Sequence, residues 1–166
     1  MIIKVDSREQ QPLEFKVGGN ITSVQTIGLP FGDYWATTQK KDGSEGQDIP
    51  IMFERKSMAD LYQTLSSEDG IRLHKEKIRK AEAMDCRLYL IIEGSLSEAY
   101  KGVGYSKVEP LPLVKRIFTF YVRYGFHPIF CNNRQEMVNY MVEMWEAFGR
   151  NFKHLPPHVG VNEVVA

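Results

Sequence analysis

The chain has 166 residues, 43% apolar and 25% charged, which suits one globular domain with a real core. No apolar run approaches the ~18–20 residues needed to span a bilayer, so no membrane segment is expected. Lys and Arg number 21 and Asp and Glu also number 21, which excludes a protein that coats nucleic acid by bulk charge but not one that segregates its charge locally.

The opening Met1-Ile2-Ile3-Lys4-Val5-Asp6 turns acidic at once and lacks the long apolar stretch of a signal peptide, so a cytoplasmic protein is expected. Ile2–Asp6 reads as a short strand that ends in an acid. Gln10–Gly19 is a loop, Ile21–Ile27 a β-branched second strand, and Gly28-Leu29-Pro30 breaks it. Asp33–Thr38 is a third strand. Gln39–Asp48 is polar, holds two glycines and reads as a turn. Ile49–Lys56 is a fourth strand of period two: Ile49, Ile51 and Phe53 share one face, and Met52, Glu54 and Lys56 the other. The third and fourth strands therefore pair as an antiparallel hairpin.

Ser57 opens a helix, with Asp60 in the place of the usual capping-box acid, and Leu61 and Leu65 on its apolar side. A second helix, from about Gly70 to Met84, carries the basic run Arg72–Lys80. Arg87–Ile92 is a buried central strand and Ser95–Lys107 a loop with room for one helical turn. Pro110 and Pro112 start the next helix, with Leu113, Ile117, Phe120 and Tyr124 as its stripe; Gly125 ends it and His127–Cys131 is the last strand. Asn133 caps a final helix, with Glu136 three residues on. Its stripe of Met137, Tyr140, Met141, Met144, Trp145 and Phe148 is expected to be core or the seam of a homodimer. Residues 1–150 form the domain and residues 151–166 a flexible tail. The order β-β-β-β-α-α-β-α-β-α gives a single α/β domain whose mixed sheet is flanked by helices.

Cys86 and Cys131 form no CxxC pair and the four histidines are scattered, so buried reduced thiols are expected and a zinc site is not. Carboxylates offer more. In an antiparallel pair the start of one strand neighbours the end of the next, so Asp33 should meet Glu54 and Lys56 at one end of the sheet. An ordinary cross-strand ion pair there would contribute ~0.2–1 kcal/mol. Acids at the end of a half-buried strand are costly to desolvate, and a hard divalent cation offsets that cost. Such an ion could activate water against a phosphodiester, with Lys56 orienting the water or stabilising the developing charge. Asp6 and Glu9 could join if the first strand borders the hairpin.

Val5-Asp6-Ser7-Arg8-Glu9, Gly32-Asp33-Tyr34 and Glu54-Arg55-Lys56-Ser57-Met58-Ala59-Asp60, followed by a basic helix, resemble the XPF-type nuclease domain of the PD-(D/E)XK superfamily. The likeness spans roughly residues 2–131; the Gly70-Ile71-Arg72 step departs by one inserted residue from the family's glycine-arginine pair. The resemblance implies a restriction-endonuclease-like fold and a Mg²⁺- or Mn²⁺-dependent endonuclease acting on branched, flap or fork DNA in repair or recombination. It implies metal ligands at Asp33 and Glu54, further metal-site acids at Asp6 and Glu9, and a catalytic lysine at Lys56. Arg55 and Arg8 would be active-site arginines that bond acids or phosphate. Asp60 would tie its helix to Arg55 or Arg8 as well as cap with Ser57, and Arg72, Lys75 and Arg79 would face the DNA backbone. Members of this family usually carry a tandem helix-hairpin-helix module after the nuclease domain, and none is expected here; a standalone domain of the phage or bacterial kind fits better, in host cytoplasm if phage-encoded. The competing expectations are an inactive nuclease fold that docks DNA or protein, and a junction-resolving nuclease of the same superfamily.

Overall fold

A computed structural model of the chain describes residues 1–102, 110–125 and 127–151. Among these, one sheet contains β1 (Ile2–Asp6), β2 (Ser23–Ile27), β3 (Tyr34–Gln39), β4 (Glu45–Asp48), β5 (Ile51–Ser57), β6 (Arg87–Glu93) and β7 (Pro128–Cys131). The helices are α1 (Met58–Ser66), α2 (Glu68–Ala83), α3 (Leu96–Lys101), α4 (Pro110–Tyr124) and α5 (Arg134–Asn151). The order is β2-β1-β3-β5-β6-β7, with β4 attached to β3. β3 runs antiparallel to β1 and β5. β1–β2, β5–β6 and β6–β7 are parallel, the last two joined by helical crossovers as the sequence predicts.

The period-two pattern of β5 separates two cores. Ile51 and Phe53 join Tyr89 and Ile91 on one face, where α5 covers them with Met137, Met141 and Trp145. Met52 joins Leu88, Leu90 and Ile92 on the other, under Leu61 and Leu65 of α1, Ile78 of α2, and Ile117 and Phe120 of α4. Central strands buried on both faces are why Arg87–Glu93 reads as an almost unbroken apolar run.

One expectation needs correction and two are sharpened. Gln39–Asp48 is not a turn throughout: Lys40–Ser44 turns, and Glu45–Asp48 returns as β4 beside β3. Its polar sequence hides it, because the strand is largely exposed and alternation has nothing to bury. Second, part of the expected Ser95–Lys107 loop is helix α3, opened by a full capping box between Ser95 and Glu98; residues 103–109 lie outside the described residues. Third, of the two expectations for the stripe of the last helix, the structure shows core. Met137, Met141 and Trp145 are wholly buried against the chain's own sheet, and Trp145 Nε1 donates to the Ile51 carbonyl at 3.0 Å. Tyr140, Met144 and Phe148 pack half-buried on the same cluster. Both cysteines are buried free thiols. The expected tail lies, apart from Asn151, outside the described residues, and among those residues no helix is long and apolar enough to cross a membrane.

Candidate active site

The ends of three strands converge because of one turn. Gly32 adopts φ +67°, and a Cβ there would lie 3.2 Å from the Phe53 carbonyl oxygen. A glycine thus lets the chain pass close over β5 and enter β3 at Asp33. The Asp33 N–H then donates to the Phe53 carbonyl at 2.8 Å, and the Asp6 N–H to the Asp33 carbonyl at 2.8 Å. Asp33 lies beside Glu54, as the hairpin argument requires, and its Oδ2 accepts the Arg55 N–H at 2.7 Å.

A cleft of about 660 Å³ opens over this junction. Asp6, Arg8, Glu9, Asp33, Glu54, Arg55, Lys56, Ser57 and Asp60 all line it. Glu54 is its deepest charge, with 1% of its side chain exposed. The Lys77 ammonium lies 2.6 Å from each of its oxygens, and the Lys56 ammonium 3.2 Å from Oε1. Burial pushes the Glu54 carboxyl up, but the charges of Lys77 and Lys56 prevail and the net direction is downward. Asp33 goes the other way: burial first, and then the Glu54 charge, push its carboxyl up to about 7, against the Arg55 N–H bond and Lys77.

The remaining acids are committed to protein partners. Asp6 is 2% exposed. Its Oδ1 accepts the Arg8 N–H and Nε–H, and its Oδ2 accepts Arg8 Nη2 and the Leu29 N–H, all at 2.8 Å. Chiefly the Arg8 side-chain bond holds its carboxyl down at about 2. The sequence expects Asp6 as a further metal-site acid; here four donors fill its oxygens, and it locks the loop that follows β1. Arg8 adds a bond to the Leu29 carbonyl at 2.7 Å. Glu9 likewise bonds within the protein, accepting the Gln11 N–H at 2.9 Å and lying 3.5 Å from the Arg55 guanidinium.

Arg55 continues inward to Glu93 at 2.5 Å, and Glu93 lies 3.7 Å from Arg134. Arg134, in the first turn of α5, donates to the carbonyls of Gln11 and Pro12 at 2.9 and 2.8 Å. Glu93 and Arg134 were not singled out in the sequence; Glu93 is visible as an acid at the end of a strand parallel to β5, two positions beyond Ile91, which pairs with Arg55. Asp60 receives the Ser57 hydroxyl at 2.7 Å while its own N–H donates to Ser57 Oγ at 3.1 Å. It caps α1, and its hydrogen bonds go to Ser57 rather than to Arg55 or Arg8.

The basic helix divides its charges between the cleft and the outer surface. Arg72 pairs with Asp69 and Glu76, Lys75 lies over the Tyr124 ring at 5.2 Å, and Arg79 is exposed; none of the three lines the cleft. Lys77 and Lys80 do. The inward stripe of α2 is His74, Ile78 and Ala81. That stripe orients the helix so that 77 and 80 face the cleft, and helical phase on those apolar positions would have found them.

Among the described residues, no three His, Cys, Asp or Glu side chains form a group that could hold a metal by themselves. Asp33 and Glu54 supply two carboxylates. A Mg²⁺-type ion fits that set, because it commonly takes one or two carboxylates and completes its shell with water and substrate phosphate. Burial first, and then the Glu54 charge, disfavour the ionised form of Asp33, a cost that a cation bound between the two acids would offset.

The family model described as "ERCC4 domain" matches residues 5–144. Among solved structures, XPF from Aeropyrum pernix superposes with a TM-score of 0.61 at 17% identity, over 92% of this chain and 67% of that one. XPF from Aeropyrum pernix in complex with DNA superposes with a TM-score of 0.60 at 19% identity, over 90% of this chain and 65% of that one. This chain thus spans about two thirds of the length of those proteins. No curated protein sequence matches it.

Proposed function

The chain belongs to the ERCC4 domain family, and from that premise we propose that it is a metal-dependent endonuclease that hydrolyses phosphodiesters in branched, flap or fork DNA. One observation carries this reading: Asp33 and Glu54 are held side by side, with Lys56 at 3.2 Å from Glu54, in the floor of a cleft. The likeness to a protein solved in complex with DNA supports DNA as the partner.

Each residue has a task that follows from its surroundings. Asp33 and Glu54 would hold Mg²⁺ or Mn²⁺, which when bound offsets phosphate charge and lowers the pKa of a coordinated water. Lys56, part-exposed and reaching from the same strand face as Glu54, is placed to hydrogen-bond the scissile phosphate as negative charge grows on it. Arg55 is buried between Glu9 and Glu93 and acts as a positioning residue: its backbone N–H fixes the rotamer of Asp33. Arg8, 70% exposed beyond its bond to Asp6, is free to meet backbone phosphate at the cleft edge. The free energy of this site is spent on aligning carboxylates, and repair or recombination is the setting in which a branched substrate would be met.

The test is a panel of labelled flap, fork and four-way DNAs incubated with EDTA, Mg²⁺ or Mn²⁺. Wild type should cut at least one of them only with metal, and Asp33→Ala and Lys56→Ala should not. Equal cleavage by wild type and both variants sinks the assignment. Binding without cleavage under every metal condition makes the domain a docking module instead.

A further inference from the structure

Glu54 is 1% exposed, yet the cation that neutralises it is not. Lys77 reaches in from α2 across 23 residues of sequence, and 35% of its side chain stays accessible. Its ammonium is equidistant from the two oxygens, at 2.6 Å each, so it takes the carboxylate as a small hard cation would. Lys56, from the same strand as Glu54, reaches only Oε1. Lys77 also has somewhere to go. Together with Lys56 and Lys80 it lines both the main cleft and a neighbouring hollow of about 240 Å³ between α1 and α2. A lysine head on a flexible four-carbon stem can exchange between two such positions, whereas a forked guanidinium could not do so as readily.

An ammonium held on both oxygens competes with a divalent cation for that carboxylate, since like charges that close repel. We propose that Lys77 is a resident counter-ion: it caps Glu54 in the metal-free protein, is displaced when a divalent cation takes that carboxylate, and then binds a DNA phosphate. This rests on the metal-dependent reading above. Its consequence is reciprocal coupling, in which metal binding frees a phosphate contact and bound DNA holds Lys77 away from Glu54.

The experiment has two arms. Mn²⁺ is titrated by electron paramagnetic resonance into wild type, Lys77→Met, Lys77→Gln and Glu54→Gln without DNA. Lys77→Gln keeps an N–H donor for Glu54 and so guards against loss of fold, which circular dichroism checks. Both Lys77 variants should bind Mn²⁺ about ten-fold tighter, the order expected from removing one nearby competing cation. In the second arm, fluorescence anisotropy follows labelled fork DNA at several salt concentrations with EDTA or with Ca²⁺. Ca²⁺ should steepen the wild-type salt dependence by about one phosphate contact, a slope of ~0.9, and should not do so in the variants. Unchanged or weaker Mn²⁺ binding in both Lys77 variants overturns the proposal while leaving the metal reading intact. Mn²⁺ binding no better in wild type than in Glu54→Gln sinks the metal reading, and the proposal with it. Tighter Mn²⁺ binding with identical salt slopes overturns the phosphate half.

Discussion

Lys4 on β1 and Glu54 on β5 are both buried charges with partners of opposite sign, yet their surroundings differ in one decisive respect. Lys4 reaches Glu45 at 2.9 Å and Asp48 at 3.3 Å, both about half exposed, and its ammonium lies 5.6 Å from the Trp35 ring centre. Burial lowers its pKa, but the two carboxylates more than reverse this and the net direction is up. The buried charge is settled by groups that water also reaches. Glu54 is paired as well, by Lys77 and Lys56, but Asp33 stands beside it with the same sign and its carboxyl is driven up. Burial of a charge is therefore no mark of function. A second carboxyl set beside the first, raised by its own burial and then by its neighbour's charge, is the better sign.

That contrast can be broken by experiment. The largest effect should be on cleavage: Glu54→Gln should lower the rate by on the order of a thousand-fold or more, as removal of a principal electrostatic group does, while Lys4→Met leaves it near wild type. Similar losses in both would erase the distinction. The next concerns stability against pH. Asp33 has a folded carboxyl raised to about 7, so ionisation penalises the folded state. The penalty is absent below the unfolded value near 4, grows as pH rises through the folded value, and is complete above it. Asp33→Asn should thus stabilise the metal-free protein at pH 8, by up to about 4 kcal/mol, and by nothing at pH 4. Denaturant melts at the two pH values check this; a destabilised variant at pH 8 would show that Asp33 is already compensated. The smallest effect is that of Lys4→Met on denaturant midpoint, under about 1 kcal/mol in either direction, because its partners are exposed and its stem is already packed.

The hairpin logic worked for Asp33, Glu54 and Lys56 because strand period and antiparallel order are local and rigid. The mixed sheet and its parallel crossovers were legible for the same reason, from the long apolar run of β6 and the phased helices between strands. What escaped was of two kinds. β4 and α3 are short and solvent-facing, so burial left little pattern to find; the Ser95–Glu98 box was the one available signal for α3. The partners Lys77, Glu93 and Arg134 come from elements whose approach is set by packing, and a list of charges on α2 does not say which of them turns inward. Nor does the sequence say that Arg8, two residues on, takes the oxygens of Asp6.

The bonds from Arg134 to Gln11 and Pro12 join residues 123 and 122 positions apart. During synthesis, the loop that carries Arg8 and Glu9 leaves the ribosome long before the arginine that pins it. Asp6 and Leu29 can hold Arg8 without α5, but Gln11 and Pro12 gain their tie to Arg134 only once α5 has docked on the sheet. That wall of the cleft is therefore complete only when nearly all of the domain exists to hold it.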